Sequence, residues 1–220
     1  MGETGVGSQT GVGSQVTGAE GAPVLRRQPS QRRSREKVER ILSCATALIA
    51  AAGSDAMRMS DVAAQAGISI GALYQYFPDK SAIIRALAER CTEDGRHCIR
   101  EGLAGIDSLD GFRTAFGNLI DTYYGLFLAE PVIRDIWCGT QADPELRTIE
   151  LEDSRANGAM LASVLRPLRP DVDPRRLDAE CFLAMQLGEA TMRLAVSVDR
   201  AEGDAMVDAY KTMVLDRLCG

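Results

Sequence analysis

The chain has 220 residues, of which 45% are hydrophobic and 25% are charged, and its net charge is −6. This composition excludes a disordered or fibrous chain and fits a globular protein with one sizeable core or two small ones. No apolar run approaches the roughly 20 residues that cross a bilayer. Residues 1–25 lack the basic start and apolar middle of a secretory signal, so we expect a cytoplasmic protein.

The charge is unevenly distributed along the chain. Residues 1–90 carry 11 Lys and Arg against 8 Asp and Glu, a net +3, whereas residues 91–220 carry 14 against 23, a net −9. Residues 26–40 alone hold seven basic and two acidic side chains. Such a segment suits a polyanion such as a nucleic acid, and the alternative is a solvated tail that aids solubility.

The N-terminal residues repeat the segment TGVGSQ, at 4–9 and again at 10–15. Glycine and small polar groups bury little apolar surface, so residues 1–33 are predicted to form a flexible, Gly/Ser-rich and basic arm. A helix is predicted from about Ser34, and Gly53 can end it. Its apolar residues recur at helical spacing: Val38, Ile41, Leu42, Ala45, Leu48 and Ile49.

A helix, a tight turn and a second helix are predicted next. Ser60 can cap a short helix, and Gly67 supplies a turn with positive φ. Ser69 can cap the following helix, which packs through Leu73 and Phe77. This is the layout of a helix-turn-helix.

The remaining residues also show helical periodicity. A longer helix is predicted from Lys80, and Asp143-Pro144 and Asp173-Pro174 each place a cap residue before proline at a helix start. A last helix is predicted over residues 204–218. The inward residues of the helix that follows Pro144 are predicted to be Leu146, Ile149, Ala156, Met160 and Val164. Because no stretch alternates with period two, the predicted fold is all-α.

Residues 67–71, GISIG, also match the G-x-S-x-G pattern of a serine-hydrolase nucleophile elbow, which would make Ser69 a nucleophile. That motif needs a preceding strand and a histidine base. The residues before Ser69 have a helical pattern, and the only histidine, His97, belongs to a different predicted helix. The surroundings favour a helix cap over a catalytic serine, and no enzymatic activity is predicted.

The segment RMSDVAAQAGISIGALYQYFPDKSAIIRALAER, preceded by an amphipathic helix with a basic start, resembles the DNA-binding domain of the tetracycline-repressor (TetR-like) family of bacterial regulators. The motif V-A-x-x-A-G-I-S-x-G-x-L-Y-x-Y-F-x-x-K occurs in order without gaps, and the resemblance covers about residues 34–90. It implies a helix-turn-helix domain at residues 34–80 and a helical effector-binding and dimerisation domain at residues 81–220.

A short helix of this kind fits the major groove of DNA. The predicted DNA-binding residues are Ser60, Ser69, Ile70, Gly71, Ala72, Tyr74, Gln75, Tyr76 and Lys80. Gln75 is the strongest candidate for a base contact because an amide can pair with adenine, although it would contact only water if the helix lies elsewhere. Ser60, Tyr74, Tyr76 and Lys80 are expected to hold phosphates. Two of these assignments have an alternative, since Ile70 and Tyr76 also have the phase of core residues.

One short recognition helix reads few bases, so a homodimer on a palindromic operator is expected. Small residues on the helix at 174–199 are predicted to form the dimer contact: Ala184, Gly188, Thr191 and Ala195. The alternative for them is packing within one chain.

A small-molecule effector is expected in a pocket of the second domain lined by Phe127, Trp137, Asp153, Asn157, Met160, Met185 and Glu189. Asp153 and Glu189 stand on apolar stripes, where a carboxylate needs either a partner such as an arginine or a ligand's polar group.

No metal or cofactor is predicted, and the six cysteines are expected to be reduced thiols. The sequence therefore predicts a ligand-responsive DNA-binding regulator, most simply a repressor. Two alternatives are a DNA-binding protein of the same fold without an effector and a helical enzyme that uses Ser69.

Overall fold

The computed structural model describes residues 1–2, 28–139 and 143–220. Within these ranges the chain forms nine α-helices and no β-strand, which confirms the all-α prediction. The helices are α1 (Gln28–Ala52), α2 (Met59–Gln65), α3 (Ile70–Tyr74), α4 (Lys80–Gly102), α5 (Leu109–Ala129), α6 (Pro131–Gly139), α7 (Pro144–Leu165), α8 (Pro174–Ala195) and α9 (Arg200–Cys219). None of the helices in these ranges is both long and apolar enough to span a membrane.

Helix α1 begins at Gln28, before the predicted start near Ser34. Its first turns carry no apolar stripe, yet Gln, Arg, Glu and Lys are good helix formers, so a helix needs no apolar contact there. Arg32 Nε lies 2.9 Å from Glu36 Oε1, one turn further along. The TGVGSQ repeat, which was predicted to be part of a flexible arm, lies outside the described residues.

The first three helices pack around an apolar core. Its fully buried residues include Ile41, Ala45, Val62 and Leu73. Gly53 ends α1 with φ of +81°, and Gly67 makes the turn between α2 and α3 with φ of +66°. A glycine suits both positions because L side chains rarely adopt positive φ. The helix, turn and helix predicted from the sequence are therefore present.

The predicted cap of α2 is wrong by two residues. The helix begins at Met59, its N-cap is Arg58, and the side chain of Arg58 makes no capping hydrogen bond. Ser60 already lies within the first turn, where its hydroxyl lies 3.2 Å from Asp61 Oδ1. The predictions for the other caps are confirmed, because Asp143 and Asp173 each accept backbone hydrogen bonds at the start of α7 and α8.

Helices α4 to α9 form the second part of the fold, in which α7 and α8 pack closely and α9 packs against α5 and α8. Helix α9 begins at Arg200, with Asp199 as its cap, rather than near Asp204. Residue 203 lies inside this helix and is a glycine. Any larger residue would place a Cβ atom 2.4 Å from the Ala195 carbonyl oxygen. The chain thus uses a glycine to bring α9 against the end of α8.

The buried face of α7 differs from the predicted stripe. Only Leu146 of that stripe is fully buried, while Ile149, Ala156, Met160 and Val164 are partly buried. The buried residues are Leu146, Glu150, Ser154, Asn157, Gly158, Leu161, Ala162 and Leu165. The prediction failed because three of them are polar. A Cβ at Gly158 would lie 2.8 Å from Phe182 Cα, so this glycine fixes which side of α7 meets α8.

Candidate nucleic-acid interface and ligand cavity

Helix α3 presents a mixed apolar and polar surface. Ser69 caps it by accepting a hydrogen bond from Ala72 N at 3.1 Å. Leu73 is wholly buried, whereas Ile70 is 43% exposed and Tyr74 is 50% exposed. Gly71 and Gln75 are also exposed and Ala72 is half-buried. The ambiguous Ile70 therefore faces outward.

Ser69 stands in a different setting from a nucleophile elbow. Helix α2 and the Gly67 turn precede it, and its hydroxyl oxygen serves the cap of α3. His97 lies on α4, where its Nε2 is 3.2 Å from Glu101 Oε1. The geometry matches the helix-cap interpretation of GISIG.

The residues predicted to hold phosphates differ in their exposure and in the hydrogen bonds that they already make. Ser60 and Tyr74 are exposed, and Tyr76 is half-buried against the core. Lys80 Nζ donates to the backbone carbonyls of Ser54 at 3.1 Å and Asp55 at 3.2 Å, so it ties the α1–α2 loop to the start of α4. Arg58, which sequence reasoning missed, is exposed at the start of α2, next to Ser60.

The basic segment before and within α1 is only partly described, because Arg26 and Arg27 lie outside the described residues. Arg33, Arg35 and Lys37 are exposed on the first turns of α1. Arg40 has a structural contact instead, since its Nε donates to the Ala66 carbonyl at 3.1 Å and holds α1 to the end of α2.

A cavity of about 270 Å³ lies among α4, α5, α6, α7, α8 and α9. Of the residues predicted for a ligand pocket, five line it: Trp137, Asp153, Asn157, Met185 and Glu189. Phe127 and Met160, which were predicted for the same pocket, do not line this cavity. Phe127 is wholly buried and packs edge-on against Tyr123, with ring centroids 5.1 Å apart, and Met160 lies elsewhere on α7.

The entrance and floor of the cavity have different residues. Four lining residues are exposed and mark a mouth between α4 and α5: Asp94, Cys98, Thr122 and Leu126. The buried lining residues include Asn157, Glu189, Met192 and Tyr210. Sequence reasoning missed the contribution of α4, because its lining residues form no apolar stripe: Cys91, Thr92, Asp94, Gly95, Cys98 and Ile99.

Glu189 lies at the buried end, only 9% exposed. Both of its carboxylate oxygens accept from the Tyr123 hydroxyl, at 2.8 and 2.9 Å. Burial raises the pKa of Glu189 to about 7, and the Tyr123 hydrogen bond opposes that rise. Burial and the Glu189 charge raise the pKa of Tyr123 well above its ordinary value, so Tyr123 stays protonated and donates.

Asp153 has the arginine partner that sequence reasoning kept as an alternative. Arg96 of α4 donates to Asp153 Oδ1 from Nη2 at 2.9 Å and from Nε at 3.2 Å. Asn157 Nδ2 donates to Asp153 Oδ2 at 2.8 Å. Burial raises the pKa of Asp153, while Arg96 and Asn157 lower it. The other amide atom, Asn157 Oδ1, is buried and has no hydrogen-bond partner among the described residues.

A second buried ion pair lies between α7 and α8. Arg193 Nη1 donates to Glu150 Oε2 at 3.0 Å, and the Glu150 side chain is 7% exposed. Glu150 is a residue that sequence reasoning missed. A carboxylate four residues after Leu146 could have indicated an inward charge, but its partner is 43 residues away.

The small residues of α8 that were predicted to make the dimer contact lie mostly within the protomer. Ala184, Gly188 and Ala195 are buried inside the protomer and Thr191 is half-buried. A Cβ at Gly188 would lie 2.9 Å from the Tyr210 hydroxyl, which donates to the Ala184 carbonyl at 2.8 Å. The small residues let α9 approach α8, which is the packing within one chain that was kept as the alternative.

The outward side of α8 instead carries large apolar residues. Leu183 is 56% exposed, Leu187 42% and Leu194 51%, and their spacing places them along one side of the helix. Met213 of α9 is 69% exposed.

All six cysteines are free thiols. No group of residues able to hold a metal ion occurs in the described part of the chain.

These features define a helix-turn-helix protein whose second, helical part encloses a cavity. Residues 41–87 match the family described as bacterial regulatory proteins, tetR family, and residues 110–219 match the tetracyclin repressor-like C-terminal domain. The chain therefore belongs to the TetR family of bacterial transcriptional regulators, which confirms the resemblance seen in the sequence.

Solved structures share the fold. RolR in complex with resorcinol has 18% identity and a TM-score of 0.63, over 86% of this chain and 90% of that chain. A TetR-family regulator from Streptomyces coelicolor has 24% identity and a TM-score of 0.63, over 83% and 95%. FadR from Bacillus subtilis in complex with stearoyl-CoA has 21% identity and a TM-score of 0.57, over 83% and 97%. At these identities the likeness shows the fold alone. No curated protein sequence matches the chain.

Proposed function

We propose that this protein is a ligand-responsive transcriptional repressor, which binds a palindromic operator as a homodimer and releases it when a small molecule enters the cavity. The observation that carries the proposal is that α4 runs without interruption from the helix-turn-helix to the cavity wall. Its 23 residues span about 34 Å at 1.5 Å per residue. We propose no enzymatic activity for the chain.

Two helices connect the cavity to the DNA-binding helices. Lys80, at the start of α4, holds the carbonyls of the α1–α2 loop, while Cys91 and Ile99 on the same helix line the cavity. On α6, Asp135 Oδ2 accepts from Ser54 N at 3.0 Å, and Trp137 lines the cavity. A ligand that favours one placement of these helices therefore shifts the α1–α2 loop as well.

On this proposal α3 enters the major groove with Ile70, Gly71, Ala72, Tyr74 and Gln75 toward the bases. The support is that these residues lie outward or at the surface while Leu73 anchors the helix. Ser60, Ser69 and Tyr76 are proposed to contact the backbone with Lys80 and the exposed Arg58. Lys80 has the weakest case, because its ammonium group is already bonded to two carbonyls.

The dimer is proposed to form through the outer face of α8, which we define by Leu183, Leu187 and Leu194, with Met213 of α9 beside it. Three exposed leucines on one face of one helix are costly in water and suit a partner helix from a second copy. A stable dimer would bury about 800 Å² on each copy, so the contact extends beyond these four residues.

DNA reading is tested by selecting bound duplexes from a random pool with the purified protein. We expect a motif with two-fold symmetry. Gln75→Ala should relax one base pair in each half-site, a loss of about 1–3 kcal/mol of discrimination. Gln65→Ala is the matched control, an exposed glutamine on α2. An unsymmetrical motif, or an unchanged motif for Gln75→Ala, contradicts the proposed reading.

The dimer face is tested by sedimentation at micromolar concentration. Leu187→Glu should give monomers, because it places a charge inside the proposed interface. Leu151→Glu should remain a dimer, since Leu151 is a 43% exposed leucine on α7, outside the proposed face. Dimers of equal strength in both variants would place the interface elsewhere.

Release is tested by screening small molecules against the protein on its selected DNA, and a screen without any releasing compound favours a regulator without an effector.

A further inference from the structure

The charged residues that line the cavity are all acidic. Asp94 stands at the mouth, and Asp153 and Glu189 line the interior. None of the described lining residues is a lysine, arginine or histidine. Most of the remaining wall is apolar or aromatic, including Phe116 and Trp137.

Among the described residues, Glu189 is the buried carboxylate at the cavity that makes no ion pair. Asp153 is paired with Arg96, and Glu150 is paired with Arg193. Glu189 accepts from the neutral Tyr123 hydroxyl, and no ion pair to it occurs among the described residues. Arg193, four residues further along α8, donates to Glu150 instead, and acts on Glu189 only as a nearby charge that lowers its pKa. A buried carboxylate in a cavity without a cation is stabilised by any cation that enters.

A second acceptor at the same site is also unused. Asn157 lines the cavity, is 4% exposed, and leaves its Oδ1 atom buried without a partner among the described residues. Its amide nitrogen is committed to Asp153, which fixes Oδ1 as the free acceptor. A ligand that satisfies Glu189 and Asn157 together must donate hydrogen bonds to both.

We propose that the cavity binds a small organic cation, a protonated amine on an apolar or aromatic body, with the ammonium group between Glu189 and Asn157. This inference rests on the ligand-responsive function proposed above and names the chemical class of the effector. The apolar body packs against Phe116, Trp137 and Met185, and Asp94 at the mouth attracts the cation.

The same features disfavour an anionic effector. Stearoyl-CoA, the ligand of the B. subtilis FadR structure, carries phosphate groups that need basic partners or backbone amides. In this cavity an anion would meet Asp94, Asp153 and Glu189 and no lining cation among the described residues. The fold is shared, but the charge of the site is not suited to that ligand.

Three probes with one body and different head groups separate these possibilities: 4-phenylbutylamine, 4-phenylbutanol and 4-phenylbutyrate. Trp137 is the only tryptophan of the chain and lines the cavity, so its fluorescence reports binding without DNA. We expect the amine to bind at least about tenfold more tightly than the alcohol, because a buried hydrogen bond to a charged group typically contributes that much affinity. The carboxylate should bind more weakly than either.

Glu189→Gln should remove the preference for the amine while the alcohol binds as before, and binding of the alcohol shows that the variant is folded. Glu152→Gln is the matched control, because Glu152 is an exposed carboxylate on α7. This variant should keep the preference for the amine. An amine that binds no better than the alcohol, or that does not bind, overturns the proposal.

The wild-type protein provides a test that needs no variant. The groups facing Glu189 are Tyr123 from α5, Glu150 and Asp153 from α7, Arg193 on its own helix and Tyr210 from α9. With a pKa of about 7, Glu189 is neutral at pH 5 and ionised at pH 8. The affinity for the amine should therefore fall about tenfold from pH 8 to pH 6, while that for the alcohol stays constant. A flat profile for the amine overturns the assignment to Glu189.

The fate of the bound DNA separates this inference from the proposed function. If the amine binds through Glu189 but leaves DNA affinity unchanged, ligand-induced release fails and the cation site stands. If the alcohol or the carboxylate releases DNA better than the amine, release stands and the cation assignment is overturned.

Discussion

The two halves of the molecule bury different kinds of core. Among the described residues, every fully buried side chain up to Ala88 is apolar. The buried polar residues all lie beyond it: Thr92, Glu150, Ser154, Asn157 and Glu189. Burying a carboxylate costs free energy unless it is paired. We therefore expect the core of the second half to contribute less to the free energy of unfolding than an apolar core of the same size. A surface held in fixed shape needs an apolar core, whereas a cavity that recognises a polar ligand needs polar groups inside.

The strongest way to break this contrast is to leave a buried charge of the second half without its partner. Arg193→Met removes the cation beside Glu150, whose side chain is 7% exposed, and should lower the free energy of unfolding by about 3–5 kcal/mol. Urea denaturation measures it. The double variant Glu150→Leu/Arg193→Met should recover most of the loss, because both charges are gone. A loss below about 1 kcal/mol for the single variant would mean that the pair is effectively solvated.

The first half should respond to lost packing in a similar range. Leu73→Ala creates a cavity at a side chain that is wholly buried, so we expect a loss of about 2–5 kcal/mol in the same denaturation experiment. Leu151→Ala, at an exposed leucine, should stay within about 0.5 kcal/mol of the wild type. Equal losses at the two sites would contradict the placement of Leu73 in the core and of Leu151 at the surface.

The contrast becomes sharper when stability is measured against pH. The folded-state pKa of Glu189, about 7, lies above its ordinary value of 4.5, so the folded chain keeps a proton that the unfolded chain releases. Stability therefore falls as pH rises from 4.5 to 7, by at most about 3 kcal/mol. Glu189→Gln should be more stable than the wild type by about 1–3 kcal/mol at pH 8, and the difference should disappear at about pH 4, below the ordinary pKa of 4.5. Glu152→Gln should follow the wild type, and a parallel pH profile for both variants would rule out Glu189 as the titrating group.

The smallest effect is expected at an ion pair on the surface of the second half. Arg85 Nη1 of α4 lies 2.7 Å from Glu145 Oε2 at the start of α7, with the two side chains 27% and 66% exposed. Because water screens this pair, a double-mutant cycle with Arg85→Ala and Glu145→Ala should give about 0.2–1 kcal/mol of coupling. A coupling above about 2 kcal/mol would show that charge contributes strongly to the contact between α4 and α7.

The sequence predicted best what depends on neighbouring residues. The turn at Gly67, the Ser69 cap and the starts of α7 and α8 follow from local backbone chemistry, and all four are present. It also identified two of the three carboxylates that line the cavity, Asp153 and Glu189, because a carboxylate on an apolar stripe is locally conspicuous.

The errors arose where the partner is distant in the chain. The buried side of α7 depends on Arg193 of α8, and the small residues of α8 have Tyr210 of α9 as a neighbour that the α8 sequence alone does not reveal. Local periodicity carries no information about which of two helices will fill a groove.

Two glycines give the molecule a fixed frame. At Gly158 the backbone of α8 lies where a side chain would stand, and at Gly203 the end of α8 does the same for α9. Helices α7, α8 and α9 are thus in close backbone contact and have little room to slide, so they form a rigid unit. If the dimer forms through the outer face of α8 as proposed, a ligand that moves α4 and α6 displaces them relative to the partner copy. The spacing of the two recognition helices can then change without any change at the dimer contact.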